Sequence, residues 1–197
     1  MCMRLFFAIP VDDETRAVLS QTQSDMKRQL RHSRVSWVAP ENFHITLHFL
    51  GDLSEEKRGH IHESRRGCVP LETRVETLRQ RFQELAFPAP FDIRLCGADA
   101  FPSKKDPKTL LVHAQMHPSL FGVYKRLADL LVSLGHDIDE RSFRPHVTLG
   151  RVRVRAEALK PECLDTATSF TAARVVLYKS HLSPEGSHYE EWVSVAL

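Results

Sequence analysis

The chain has 197 residues, 42% hydrophobic and 26% charged, with a formal net charge of +2 at neutral pH. That length buries a substantial core, and the near balance of charge excludes a protein that grips duplex nucleic acid by bulk electrostatics. A small anionic substrate, or the end of an RNA, fits the mild basic excess. The four cysteines, Cys2, Cys68, Cys96 and Cys163, show no Cys-x-x-Cys spacing. Neither a zinc knuckle nor a thioredoxin-like motif is expected, and reduced thiols in a cytoplasm are.

The first predicted element is "RLFFAIP" (Arg4–Pro10), a compact apolar run ended by proline. It is too short for a signal sequence or a membrane span and reads as a buried strand. "DDETRAVLSQTQSDMKRQL" follows with acids in its first turn and bases late, as an amphipathic helix aligned with its macrodipole requires. Its expected apolar stripe is Ala17, Val18, Leu19, Met26 and Leu30. "VSWVAPENF" is extended with a turn and leads into a strand, "HITLHFLG", that stops at Gly51. "LSEEKRGHIHESRR" is expected to begin a second helix, and Cys68–Glu84 is helical in places.

"PFDIRLCGADAFPS" and "TLLVHAQM" are strands flanking a charged turn at Lys104–Lys108. "HPSLFGVYKRLADLLVSLG" is an amphipathic helix with Leu120, Val123, Leu127, Leu130, Leu131 and Leu134 on one side, and Gly135 as its stop. "FRPHVTLGRVRV" is a strand entered through Pro145, which favours an extended Arg144. "SFTAARVVLYKSHL" and "HYEEWVSVAL" close the chain as two strands. Interleaved helices and tightly connected strands point to an α+β protein, since no Gly-rich loop follows the first strand as a nucleotide-binding α/β fold would want.

Within this frame the chain writes His, aliphatic, Thr, Leu twice, at His44 and at His146, 102 residues apart (146 − 44). Three other His-x-Ser triplets, at His62, His117 and His181, lack that context and read as structural or solvent-exposed. On a strand, His44 and Thr46 point to one face while Ile45 and Leu47 point to the other, and the second motif repeats this with His146, Thr148, Val147 and Leu149. Each motif anchors through its aliphatics and presents an imidazole beside a hydroxyl. Spacing does not say whether the two polar faces converge or meet solvent on separate strands.

If they converge, the set suits phosphodiester chemistry. Imidazole titrates near neutrality, so one ring can accept a proton while the other donates one. Thr46, Thr148 and Arg151 could hold the phosphate oxygens, the last with a planar fork that binds two at once. A zinc site would want three or four ligands, and threonine is a poor one, so no metal is expected. Strict alternation puts His48 on the face of His44 and Thr46; it reads as a partly exposed strand histidine rather than a third catalytic group. Trp37 and Phe101 read as core packing or loop anchors before base-stacking groups. Lys104, Lys105 and Lys108 read as a solvated turn before a guide for an RNA backbone, and Tyr178 and Lys179 near the final hairpin are open to the same two readings.

The stretches "RLFFAIP", "WVAPENFHITLHFLG", "GADAFPS", "RPHVTLGRVR" and "LYKSHLSPEGSHYEE" together resemble the 2H phosphoesterases. Within that superfamily the chain is most similar to the RNA 2′,3′-cyclic phosphodiesterases, also described as 2′-5′ RNA ligases. The resemblance implies one domain over residues 1–197, a bilobal α+β fold with a pseudo-twofold axis, and one motif from each lobe at a central cleft. It implies a reaction without metal or cofactor in which a 2′,3′-cyclic phosphate on RNA or a small nucleotide opens to a 2′-phosphomonoester. His44 would protonate the leaving 3′ oxygen, His146 would take a proton from water, and Thr46, Thr148 and Arg151 would bind the phosphate. A cytoplasmic monomer with no membrane partner is expected. Joining cleaved tRNA halves through a 2′-5′ bond and a non-catalytic RNA- or nucleotide-binding role are the alternatives. Family members often carry Lys where this chain has His48, and the stretch from His62 to Arg74 is longer than the family's usual connection.

Overall fold

The computed structural model describes residues 3–53, 70–138, 142–154, 158–159, 167–183 and 186–197. In chain order these form β1 (Met3–Pro10), α1 (Asp13–Gln29), β2 (Val35–Trp37), a short 3-10 turn (Pro40–Asn42), β3 (His44–Leu53), α2 (Leu71–Gln83), β4 (Phe91–Pro102), β5 (Pro107–Ala114), α3 (Pro118–Ser133), β6 (His146–Val152), β7 (Ala167–Ala172), β8 (Arg174–Ser183) and β9 (Gly186–Ala196). The expected helix beyond Gly51 and the start of the long connection fall on residues 54–69, outside the described residues. The helical reading of Cys68–Glu84 is realised as α2.

Among the described residues the strands make one antiparallel sheet in the order β7-β4-β5-β6-β3-β1-β8-β9, with β2 beside β6. The order is that of two similar halves. In one, β1 leads through α1 to its antiparallel neighbour β3; in the other, β5 leads through α3 to its antiparallel neighbour β6. The halves join where β3 meets β6, at the residue pair Ile45–Val147, and where β2, which precedes β3, pairs with β6 over Val35–Trp37. This is the α+β architecture anticipated, with the two lobes hydrogen-bonded into a continuous sheet.

Local chemistry accounts for the helices. The Asp12 carboxylate accepts from the Thr15 N–H at 2.8 Å, capping α1, and Asp13 and Glu14 then Lys27 and Arg28 place charge along its dipole as expected. The buried face differs from the anticipated stripe: it is Thr15, Leu19, Thr22, Gln23 and Met26, while Ala17 and Val18 face solvent. Helical spacing runs 15, 19, 22, 26, and the polar residues within it disguised the stripe. In α3 Leu120, Val123, Leu127, Leu130 and Leu131 are buried as expected, Leu134 is half-buried at the C-cap, and Gly135, at φ 77°, takes the left-handed conformation that ends the helix.

One face of the sheet packs with the helices around a core that includes Leu5, Phe7, Ile9, Ile45, Val112, Val147, Leu149 and Leu177. Among the described residues the other face is open, and it carries a small aromatic cluster of Phe6 and Tyr178, with Tyr189 packed against it. Two sequence readings change. Val35–Trp37, expected as extended chain, is a strand against β6. "SFTAARVVLYKSHL" is two strands, not one, because the chain leaves the β4 edge at Ala173 and crosses to pair with β1 in the other half. A run of β-formers cannot show such a change of partner.

Gly150 has a packing reason to be glycine. A Cβ there would lie 2.9 Å from Trp37 Cε3 and 3.0 Å from Val35 Cγ1. Replacing Gly150 with alanine is therefore expected to lower stability by about 1–3 kcal/mol through overpacking, read as a lower urea midpoint with an unchanged slope.

Candidate active site

Because Ile45 pairs with Val147 across antiparallel strands, counting one residue outward sets His44 opposite Thr148 and Thr46 opposite His146. The four side chains turn to the open face, while Ile45, Leu47, Val147 and Leu149 enter the core. The two motifs that the sequence left unrelated in space are neighbours, and the approximate twofold axis of the sheet passes between Ile45 and Val147.

Each strand then breaks its alternation at the same place in its motif. On β3 the pairing runs from Ala8–Thr46 to Phe7–His48, leaving Leu47 unpaired; on β6 it runs from Leu111–Thr148 to Leu110–Gly150, leaving Leu149 unpaired. These are β-bulges, which put two successive residues on one face and reverse the parity beyond. The bulge on β6 brings Arg151, three residues past Thr148, back to the open face, where it pairs with Thr109 while Val152 packs toward the core. Strict alternation would have turned Arg151 to the helices.

The bulge on β3 does the reverse to His48. The sequence reading placed it beside His44 and Thr46 and partly exposed; the structure buries it on the helix side. There its Nε2 lies 2.9 Å from the Tyr124 carbonyl and its ring stacks on Tyr124 at 4.2 Å. Burial lowers its pKa, so the ring is neutral and its Nε2–H donates to that carbonyl. His48 ties β3 to α3 and stays away from the open face. His48→Ala is expected to lower stability by about 1–3 kcal/mol, since a buried ring stacked on Tyr124 is lost together with a second donor to a carbonyl already bonded within α3. Its kcat/KM should stay within a few-fold of the parent.

The two motif rings are oriented alike. His44 Nδ1 lies 2.7 Å from the Asn42 carbonyl and His146 Nδ1 lies 2.8 Å from the Arg144 carbonyl, in each case two residues back. A carbonyl only accepts, so each Nδ1 carries a proton and each neutral ring keeps Nε2 as its basic atom. At His44 that atom is 3.0 Å from Thr46 Oγ1, whose hydroxyl donates to it.

Their surroundings differ. Phe6, Tyr178 and Tyr189 enclose His44, with ring centroids 5.1, 6.1 and 5.4 Å away. This burial lowers its pKa to about 4, outweighing the Asn42 carbonyl, which raises it, and the charge of His146 lowers it further. His146 is also lowered, first by burial and then by the charges of His113 and Arg151, against the Arg144 carbonyl. The His44 half is thus aromatic and the His146 half cationic.

Several neighbours were not singled out from the sequence. Phe49 occupies on β3 the place that Arg151 holds on β6; it is 65% exposed and lies 5.6 Å from Phe6. His113 is the cross-strand partner of His146, and its Nε2 lies 3.1 Å from Asp99 Oδ2. Tyr189 and Tyr178, the second of which the sequence reading did weigh, come from the last two strands, and only the β1–β8 pairing brings them to His44. Of the aromatics that were weighed, Trp37 packs against the core as expected, whereas Phe101 is 63% exposed on the face of Thr109 and Arg151. Lys104 pairs with Asp99 at 3.8 Å. His117 caps α3, with its Nδ1 accepting from the Ser119 N–H, and His181 is exposed beside Glu190.

Comparison with known proteins follows the same lines. The model of the family described as LigT like Phosphoesterase matches residues 9–112 and 113–189. An RNA 2′,3′-cyclic phosphodiesterase of Archaeoglobus fulgidus is 32% identical over 197 residues, covering 96% of this chain and 97% of its own. One of Methanocaldococcus jannaschii is 28% identical, covering 96% and 100%. Against a relative of that name from Geobacillus stearothermophilus, 26% identical over 90% of this chain, the chain spans about half the length, 52%. A crystal structure of a Thermus thermophilus protein superposes with a TM-score of 0.75 at 26% identity, covering 99% of this chain and 98% of that one. E. coli LigT complexed with 3′-AMP shares the fold at a TM-score of 0.67 and 22% identity, covering 100% and 99%. Family match, relatives and fold agree, and the chain belongs to the LigT-like phosphoesterases.

Proposed function

We propose that this protein hydrolyses a 2′,3′-cyclic phosphate on RNA or a nucleotide to a 2′-phosphomonoester, using His44 and His146 as acid and base without a metal. The observation that carries the reading is the pair of motifs on adjacent antiparallel strands, each with Nδ1 tied to a backbone carbonyl and Nε2 left for chemistry. The relatives named RNA 2′,3′-cyclic phosphodiesterase support the substrate class.

In this mechanism the cyclic phosphate lies over the Ile45–Val147 pair, with Thr46 and Thr148 donating to its non-bridging oxygens and Arg151 holding the charge that builds there. Nε2 of His146 takes a proton from water as the water oxygen bonds to phosphorus. The bond from phosphorus to the 3′ oxygen breaks, and Nε2–H of His44 delivers a proton to that oxygen. Each turnover leaves His146 protonated and His44 neutral, and exchange with solvent resets them. In the free protein His44 is neutral near pH 7. An anionic phosphodiester against the ring favours its cation, so the proton arrives with the substrate, and the Thr46 hydroxyl then turns its hydrogen from Nε2 to a phosphate oxygen. The exposed face of Phe49 offers a stacking surface for the base.

The pH dependence follows. Productive enzyme has one ring charged and one neutral, so kcat/KM peaks midway between the two macroscopic pKa values of the pair. Both rings are lowered from the ordinary 6.5, hence the peak is expected on the acid side of pH 6.5. A profile of kcat/KM on a 2′,3′-cyclic nucleotide checks it, and a maximum above neutrality contradicts the electrostatics. The reaction class is tested by turnover of that nucleotide with and without EDTA. Equal rates support the reading, and loss with chelator overturns its metal-independent form.

A further inference from the structure

Gln23 is a buried polar residue, 2% exposed, on the inner face of α1 between Leu19 and Met26. Thr22 beside it bonds back to the Val18 carbonyl of its own helix, but Gln23 reaches off the helix into the sheet. Its Nε2 donates to the Val38 carbonyl at 2.7 Å and to the Leu149 carbonyl at 2.9 Å. The Val38 N–H also donates to the Leu149 carbonyl, at 3.0 Å. One amide thus clasps the chain just past β2 and the bulged residue of β6.

That place has a consequence for the open face. Leu149 is the unpaired residue whose insertion reverses the parity of β6, and Arg151 faces the cleft only because of it. The bulge lies on the β5 edge of β6; on the opposite edge the Leu149 carbonyl continues the β2 register, opposite Val38, and buried carbonyls persist where donors satisfy them. Two donors converge on this one, one of them a side chain from a residue 126 positions away. A glutamine among apolar neighbours is costly to bury unless both its position and its bonds are used.

We propose that Gln23 is a positioning residue for Arg151: by capping the Leu149 carbonyl it fixes the β6 bulge that sets the guanidinium on the catalytic face. The inference rests on the reading of Arg151 as a phosphate ligand. On this account Gln23 touches no substrate, and its influence on the reaction passes through Arg151.

A double-mutant cycle tests it, with Gln23→Met, which keeps the volume and removes the donors, made in the parent and in Arg151→Ala. On a 2′,3′-cyclic mononucleotide, Gln23→Met is expected to lower kcat/KM about tenfold in the parent. It should lower it by less than about twofold once Arg151 is gone. Gln23→Asn, one methylene too short to reach both carbonyls, shows the same pattern and serves if the methionine variant does not fold. The pH limb of His146, which feels the charge of Arg151, should move in the same direction in Gln23→Met as in Arg151→Ala. An equal loss in both backgrounds, or no loss in the parent, overturns the proposal while leaving Arg151 as a ligand. If Arg151→Ala alone changes nothing, the reading of Arg151 fails, and the role of Gln23 with it.

Discussion

Replacing His44 or His146 with alanine is expected to lower kcat/KM on a 2′,3′-cyclic nucleotide by about 10²–10⁴-fold, the usual contribution of a general acid or base. Neither change should unfold the protein, because both rings stand on the open face while Ile45, Leu47, Val147 and Leu149 keep the strands anchored. The double variant should lose little beyond the worse single one, since a proton relay fails as a unit. The two singles should differ in one respect. His44 is enclosed by Phe6, Tyr178 and Tyr189. Its loss leaves an apolar hollow that disfavours the imidazolium a replacement acid must be, whereas the polar His146 side accepts the neutral imidazole a replacement base must be. Added imidazole should therefore restore more activity to His146→Ala than to His44→Ala. Rates in the parent and the three variants, with circular dichroism at the assay temperature, check both points. Full activity in either single variant contradicts the role given to that ring.

Arg151→Ala carries the second large effect, an expected loss of about 10²–10³ in kcat/KM, comparable to removing one donor from an oxyanion site. Lysine in its place should recover only part, because a single ammonium does not reproduce the planar fork. The change has a second signature. The Arg151 charge is one of the influences that lower His146, so its removal lets that pKa rise and carries its limb of the pH profile to higher pH. A loss of affinity with an unmoved limb would place Arg151 away from His146 and contradict the arrangement described.

Much of this site was legible from the sequence, because strand parity is a strong rule where it holds. It put His and Thr on one face and the aliphatics on the other in both motifs, and the buried Ile45, Leu47, Val147 and Leu149 agree. Parity failed where the strands bulge. It placed His48 on the catalytic face when the structure stacks it on Tyr124 behind the sheet, and it gave no reason for Arg151 to face the cleft. A bulge is set by pairing with a distant strand and by donors such as Gln23, and neither leaves a local mark on the sequence. The same limit hid the aromatic enclosure of His44, whose members lie on β1, β8 and β9 and meet only through the sheet order. Convergence of the two motifs was implied by family resemblance alone, since spacing cannot choose partners; the Ile45–Val147 pair is what brings them together. In α1 the buried Thr15, Thr22 and Gln23 misdirected the reading because polar residues on an inner face look like solvent-facing ones until their bonds are seen.

The most direct measurement is the product itself. Purified protein is given a 2′,3′-cyclic mononucleotide and the reaction is followed by phosphorus NMR beside His44→Ala and His146→Ala. The account predicts a 2′-phosphomonoester from the parent, unchanged by EDTA, and its near absence from both variants. A 3′-phosphomonoester would contradict the assignment of the leaving oxygen, and undiminished product from either variant would contradict two-histidine catalysis.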